Sequence, residues 1–170
     1  SWRIHDVDFA RVAQGEWVFD RTLGERSLQA SLDLHTRWQA HPRVTPLLAA
    51  HAADTCSEAL LRDVAQASQR LGLRVNTHLA QSQVEVSRVR ARCGGRGPVQ
   101  VLADAGLLNE RLLGGHGLFL DAADISALAA AGATVVHIPK CNASSGRLAP
   151  TPQLRRAGVN LALATDTQHA

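Results

Sequence analysis

Five short apolar runs in this chain each end on a residue that can bind a ligand or move a proton. "LLAAHA" carries His51, "RVNTHLA" carries His78, "RLLGGHG" carries His116, "TVVH" ends on His137 and "NLALATD" on Asp166. Their separations are 27, 38, 21 and 29 residues, each enough for one helix and a return strand. A lone histidine at a strand end is usually a hydrogen-bonded structural residue. Recurrence in step over consecutive strands is much harder to reach by chance, and it points to a shared site.

Helical periodicity fills the gaps between the runs. "SLQASLDLHTRWQ" reads as a helix from Ser27, and "TCSEALLRDVAQASQRLG" as another, opened by a Thr55-x-x-Glu58 capping box and closed on Gly72. "VEVSRVRAR", "PVQVLADAGLL", "DAADISALAAAG" and "TPQLRRAG" follow, the third capped by Asp121 and stopped by Gly132. Repeated β-α order means a mainly parallel sheet, and strands apolar almost throughout suggest burial on both faces. The expected fold is α/β, a partial (β/α)8 TIM barrel with about five βα units, whose C-terminal strand ends form one face. Residues 27–170 would be the C-terminal part of that barrel. Residues 1–26, with Trp2, Phe9, Trp17 and Phe19, would be a loop or lid segment before it.

Composition narrows the function classes. The net charge is +3, and the arginine cluster Arg88, Arg90, Arg92 and Arg96 has no interleaved aromatics, so it reads as a solvated helix face and no nucleic-acid partner is expected. No apolar run approaches the ~18–20 residues of a membrane span, so no membrane partner is expected. Cys56, Cys93 and Cys141 are odd in number and far apart, with no paired ligand spacing, which favours a reduced, cytoplasmic setting. His5, His35, His41 and His169 lack a strand-end position and read as surface or loop residues. Lys140, the only lysine, reads as a solvent-facing loop residue. The chain has no methionine and reads as a fragment of a longer protein.

"AAHAADTCS", "THLAQSQVEV", "GGHGLFLD", "VVHIPKCNASSGRLAP" and "NLALATDT" together resemble the strand 4 to strand 8 signatures of the amidohydrolase superfamily. The resemblance is to the branch of methylthioadenosine/S-adenosylhomocysteine deaminases, guanine and cytosine deaminases and triazine chlorohydrolases, and it spans roughly Arg43 to Asp166. It implies a metal-dependent hydrolase with a mononuclear centre. His78 and Asp166 would be metal ligands, and Asp166 would also collect the proton of the attacking water. His116 would act beside the metal on the substrate, while His51, Gln81, His137 and Asn142 would line or shape the substrate pocket. The implied cofactor is one divalent ion, Zn²⁺ or Fe²⁺, since nitrogen and carboxylate donors accept either. The implied partner is a small heterocyclic substrate, deaminated or dechlorinated, and a homo-oligomer is compatible.

Two departures from that pattern carry consequences. The family's strand 5 "HxxE" is here His78-Leu79-Ala80-Gln81, and an amide holds a substrate but cannot shuttle protons. Glu85 is a conceivable stand-in, with a helix-capping or surface role the expected one. The strand 1 "HxH" of the family is absent from the chain, so catalysis is expected of a full-length parent, with the isolated chain inactive and poorly stable or self-associating. The competing reading is an amidohydrolase-type barrel fragment that has kept the fold without the chemistry.

Overall fold

The computed structural model describes residues 3–166. In chain order it contains α1 (Phe9–Val12), α2 (Arg21–Trp38), β1 (Leu48–Ala52), α3 (Glu58–Leu71), β2 (Val75–Leu79), α4 (Gln83–Arg92), α5 (Pro98–Asp104), β3 (Leu112–His116), α6 (Ala122–Ala130), β4 (Thr134–His137), α7 (Pro139–Ser144), α8 (Thr151–Arg156) and β5 (Asn160–Leu163). The five strands form one parallel sheet in the order β1-β2-β3-β4-β5. Sequential strand order with helical crossovers is the arc of a (β/α) barrel. Among the described residues no helix is long and apolar enough to cross a membrane. Trp2 and His169 lie outside the described residues.

The core lies between the sheet and its helices. Leu60, Leu61, Val64 and Ala67 form the buried stripe of α3 and pack with Leu48, Val75 and Leu112 of the strands. Each such aliphatic side chain contributes about 1.5–3 kcal/mol by leaving water. Strands β1 and β2 alternate rather than burying both faces. In β2, Val75, Thr77 and Leu79 are buried while Asn76 is exposed and His78 half-buried. One face is covered by helices and the other carries the polar side chains, as the two-residue period of a strand requires. Gly114 permits the close approach of β2 and β3, because a Cβ there would sit 2.6 Å from Leu79 Cδ2.

Several boundaries differ from the sequence reading for local reasons. Helix α2 begins at Arg21, not Ser27, because the Asp20 carboxylate accepts from the Thr22 and Leu23 amides. Helix α3 is capped by Ser57 instead of Thr55, whose hydroxyl is held between His51 Nδ1 at 2.7 Å and the Ala52 carbonyl. Helix α7, unread in the sequence, starts at Pro139 directly after β4.

The leading segment is tied in part to the sheet. Ile4 pairs in parallel with Ala50, donating its amide to the Ala49 carbonyl and accepting from the His51 amide. Ile4 and Val7 are fully buried. The buried Asp6 carboxylate accepts from the Ser57 amide at 2.7 Å and from the Ser57 hydroxyl, at the N-terminus of α3. Phe9 stays half-exposed, its ring 6.1 Å from that of His51.

Candidate functional site

Parallel strands in register bring their C-terminal ends to one edge, and three tips meet there. Leu79 of β2 pairs with His116 of β3, so His78 and His116 lie side by side with rings stacked at 5.3 Å and 16°. The His51 ring stands edge-on to His78 at 5.0 Å. Asp166, three residues beyond β5, places Oδ2 3.7 Å from His116 Nε2. His51, His78, His116 and Asp166 line one cavity of about 230 Å³, with Arg3 among the other lining residues.

The backbone is bent at this edge. Among the described residues, the non-glycine residues with positive φ are Ala80 (45°), His116 (73°) and Asp166 (62°), all at or just past strand ends. Left-handed geometry costs an L-residue about 1–2 kcal/mol, and such strain gathers where side chains must be aimed.

Hydrogen bonds set the imidazole tautomers. His78 Nδ1 donates to the His51 carbonyl at 2.7 Å, leaving the Nε2 lone pair free. His116 Nδ1 lies 3.0 Å from Asn142 Oδ1, an acceptor, so it carries the proton and Nε2 again presents a lone pair. Arg3 donates to His51 Nε2 at 3.3 Å, so His51 Nδ1 donates to Thr55 Oγ1. Burial, then the neighbouring His78, lowers the His51 pKa to about 4. Burial likewise lowers that of His78, against the hydrogen bond to the His51 carbonyl. Both shifts favour the neutral imidazole, the form a metal-ligating histidine takes.

The other expected site residues are placed differently. Asn142 is buried and reaches the site through His116, not through the cavity wall. His137 does not join the cavity: Val136 takes that face, and His137, one residue on, falls on the opposite one beside Thr151 and Leu161. Gln81 is exposed and does not line the cavity. Glu85 caps the turn after β2, accepting from the Ala80 amide at 3.0 Å and the Gln81 amide at 2.8 Å. It is buried, and burial raises its pKa to about 7. Lys140 is exposed.

Cys141 is the residue that sequence reading passed over. Its sulfur, a nitrogen of His116 and a carboxylate oxygen of Asp166 lie within 4.8 Å of one another. The signal was positional: Cys141 stands four residues past the β4 tip, beside Asn142. Its thiol is held above the usual range by partial desolvation and by the adjacent Asp166 carboxylate.

The His78 imidazole, with Nε2 available, and the Asp166 carboxylate are donor types that suit a divalent transition metal, so the residues fit such an ion. His78 and Asp166 are the groups that would hold it, with His116 beside them.

Comparison with known proteins agrees with the fold. The sequence model of the amidohydrolase family matches residues 11–170. The chain is 41% identical over 125 residues to a 5-methylthioadenosine/S-adenosylhomocysteine deaminase of Pyrococcus abyssi, covering 73% of this chain and 29% of that protein. Among solved structures it is similar to an adenosine deaminase of Xanthomonas campestris with bound zinc, at 32% identity and a TM-score of 0.80, covering 85% of this chain and 33% of that one. It is also similar in fold to an atrazine chlorohydrolase of Arthrobacter aurescens complexed with zinc, at 21% identity and a TM-score of 0.77, covering 83% of this chain and 32% of that one. The chain thus spans about a third of the length of these proteins.

Proposed function

Because the chain belongs to the amidohydrolase family, we propose that it supplies the C-terminal barrel half of a metal-dependent hydrolase that deaminates a nitrogen heterocycle. The observation that carries this reading is the meeting of His78, His116 and Asp166 at one cavity, with both imidazole Nε2 atoms unblocked by their Nδ1 hydrogen bonds. The similarity to a methylthioadenosine/S-adenosylhomocysteine deaminase and to a zinc-bound adenosine deaminase favours an adenine nucleoside as substrate and zinc as the ion. When bound, the ion supplies the Lewis acidity that makes water a nucleophile source near neutral pH.

The chain's own groups divide the rest of the work. His78 and Asp166 would hold the ion. The Asp166 carboxylate accepts the proton of the attacking water and returns it to the departing amine. His116, aimed by Asn142, offers its Nε2 lone pair as a hydrogen-bond acceptor to the substrate or the attacking water. His51, kept neutral, borders the substrate, with Arg3 fixing its ring. Gln81 and Glu85 take no part in proton transfer in this scheme. Three cysteines free of disulfides accord with a cytoplasmic setting.

One observation favours the competing reading of a barrel without chemistry. Gln81 stands at the family's acidic position, and Glu85 is committed to two backbone amides, so among the described residues Asp166 is the single carboxylate lining the cavity. The test is metal content and ammonia release from 5'-methylthioadenosine by the full-length protein, beside His78→Ala and Asp166→Ala. About one ion per chain, at least tenfold less of it in both variants, and deamination by the parent alone are expected. Metal binding without release of ammonia from any heterocyclic amine would establish the silent barrel instead.

A further inference from the structure

We propose that Thr55 is a positioning residue for the cavity, holding His51 in place and, through it, Arg3. This rests on the reading of that cavity as the substrate site. Its basis is a chain of hydrogen bonds that runs in one direction. Arg3 Nη1 lies 3.3 Å from His51 Nε2, His51 Nδ1 lies 2.7 Å from Thr55 Oγ1, and that oxygen lies 3.3 Å from the Ala52 carbonyl. A guanidinium only donates and a carbonyl only accepts, so both ends fix the same polarity: Arg3 gives to His51, His51 to Thr55 and Thr55 to Ala52. Donors aligned head to tail polarise one another, so the loss of one link weakens the others.

By spacing alone the Thr55 hydroxyl belongs to a helix cap, and the fold releases it from that task. Ser57 caps α3 by accepting from the Leu60 amide, which leaves the Thr55 oxygen to His51. Thr55 is buried, and its backbone is tied on both sides. Its carbonyl accepts from the Asp6 and Val7 amides at 3.3 and 3.2 Å, and its amide donates to the Ala52 carbonyl at 3.2 Å. A β-branched side chain is stiff at χ1, so a fixed backbone means a fixed oxygen. His51 is half-buried and Arg3 exposed, so the two side chains that face the cavity take their placement from the buried one behind them. The consequence for recognition is that His51 presents a lone pair at Nε2, and no proton, with the Arg3 cation beside it.

Nitrogen NMR reads the tautomer without turnover. The full-length protein, loaded with zinc and isotopically labelled at its histidine nitrogens, is compared with Thr55→Ser and Thr55→Val, and the His51 signals are those absent from His51→Gln. In the parent and in Thr55→Ser, His51 should carry its proton on Nδ1 alone. Thr55→Val keeps the shape and removes the acceptor, which would leave a ring N–H unpaired at the buried end, so roughly half or more of the ring population should move to the Nε2–H form. A proton on Nε2 in the parent, or an unchanged tautomer in Thr55→Val, overturns the proposal. Thr55→Ser behaving like Thr55→Val also overturns it, because the methyl group and not the hydroxyl would then set the ring. Ammonia release from 5'-methylthioadenosine gives a second reading. Thr55→Val should lose about tenfold or more in kcat/KM, as the loss of an orienting partner of a site histidine typically costs, and Thr55→Ser should recover most of it. Equal kcat/KM in the parent and Thr55→Val counts against the proposal. A parent that releases no ammonia refutes the deaminase reading instead, and the tautomer then decides the role of Thr55.

Discussion

Glu85 is a buried carboxylate whose two partners are backbone amides, and its energetics follow from that. Burial raises its pKa from 4.5 to about 7, more than the hydrogen bonds from Gln81 and Ala80 lower it. Between those values the folded chain keeps a proton that the unfolded chain has released, so this residue's contribution to stability falls as pH rises through that window. His51 acts oppositely, because its lowered pKa adds stability as pH rises from about 4 toward 6.5. The comparison must therefore be parent against Glu85→Gln. Urea unfolding should show the parent losing about 2–3 kcal/mol relative to the variant between pH 4.5 and pH 8. A constant difference would mean that Glu85 is ionised throughout. The sequence marked Glu85 as an acidic residue near a helix start, but its choice between cap and proton shuttle depended on where the Ala80 turn aims the two amides.

At the scale of elements, helix termini and strand tips hold most of the specificity. Helix α3 is fixed by a residue 51 positions away: Asp6 accepts from both the amide and the hydroxyl of Ser57. A local reading found Thr55 and Glu58, the right residue types at capping spacing, because it could not know that His51 takes the Thr55 hydroxyl. Asp6→Ala should destabilise the fold by about 2–4 kcal/mol, since two charge-assisted bonds at a helix N-terminus are lost from a buried position. A thermal or urea unfolding series would measure it, and a change under 0.5 kcal/mol would show that the leading segment is not anchored through Asp6. The strands themselves were legible, because short apolar runs bounded by turn residues are a local signal. Helix α7 was not, because six residues beginning with a proline carry too little periodicity.

Across the whole molecule the sheet has two unlike edges. Beside β1 the Ile4 segment supplies hydrogen bonds, whereas β5 is paired only with β4 among the described residues. Leu163 on β5 is 78% exposed, and Leu148 is 63% exposed. An unprotected strand edge with apolar side chains recruits another chain. The 170-residue chain alone should therefore self-associate at micromolar concentration, and sedimentation velocity over a concentration series would report it. A monomer throughout, with cooperative unfolding, would show that five βα units suffice as an independent body.

Strand order, helix order and the set of strand-tip residues follow from local chemistry: apolar runs, turn residues and a polar side chain at each end are written in consecutive positions. His51, His78, His116 and Asp166 could be named on that basis, and they line one cavity. The side of the sheet that each tip faces could not be read in this way. His137 has the same local pattern as His116, yet it points away from the cavity, because register and the two-residue strand period give that face to Val136. Cys141 has no strand-tip pattern, yet α7 carries it to His116 and Asp166. Facing and convergence depend on packing between segments distant in the chain, and no short stretch of residues contains that information.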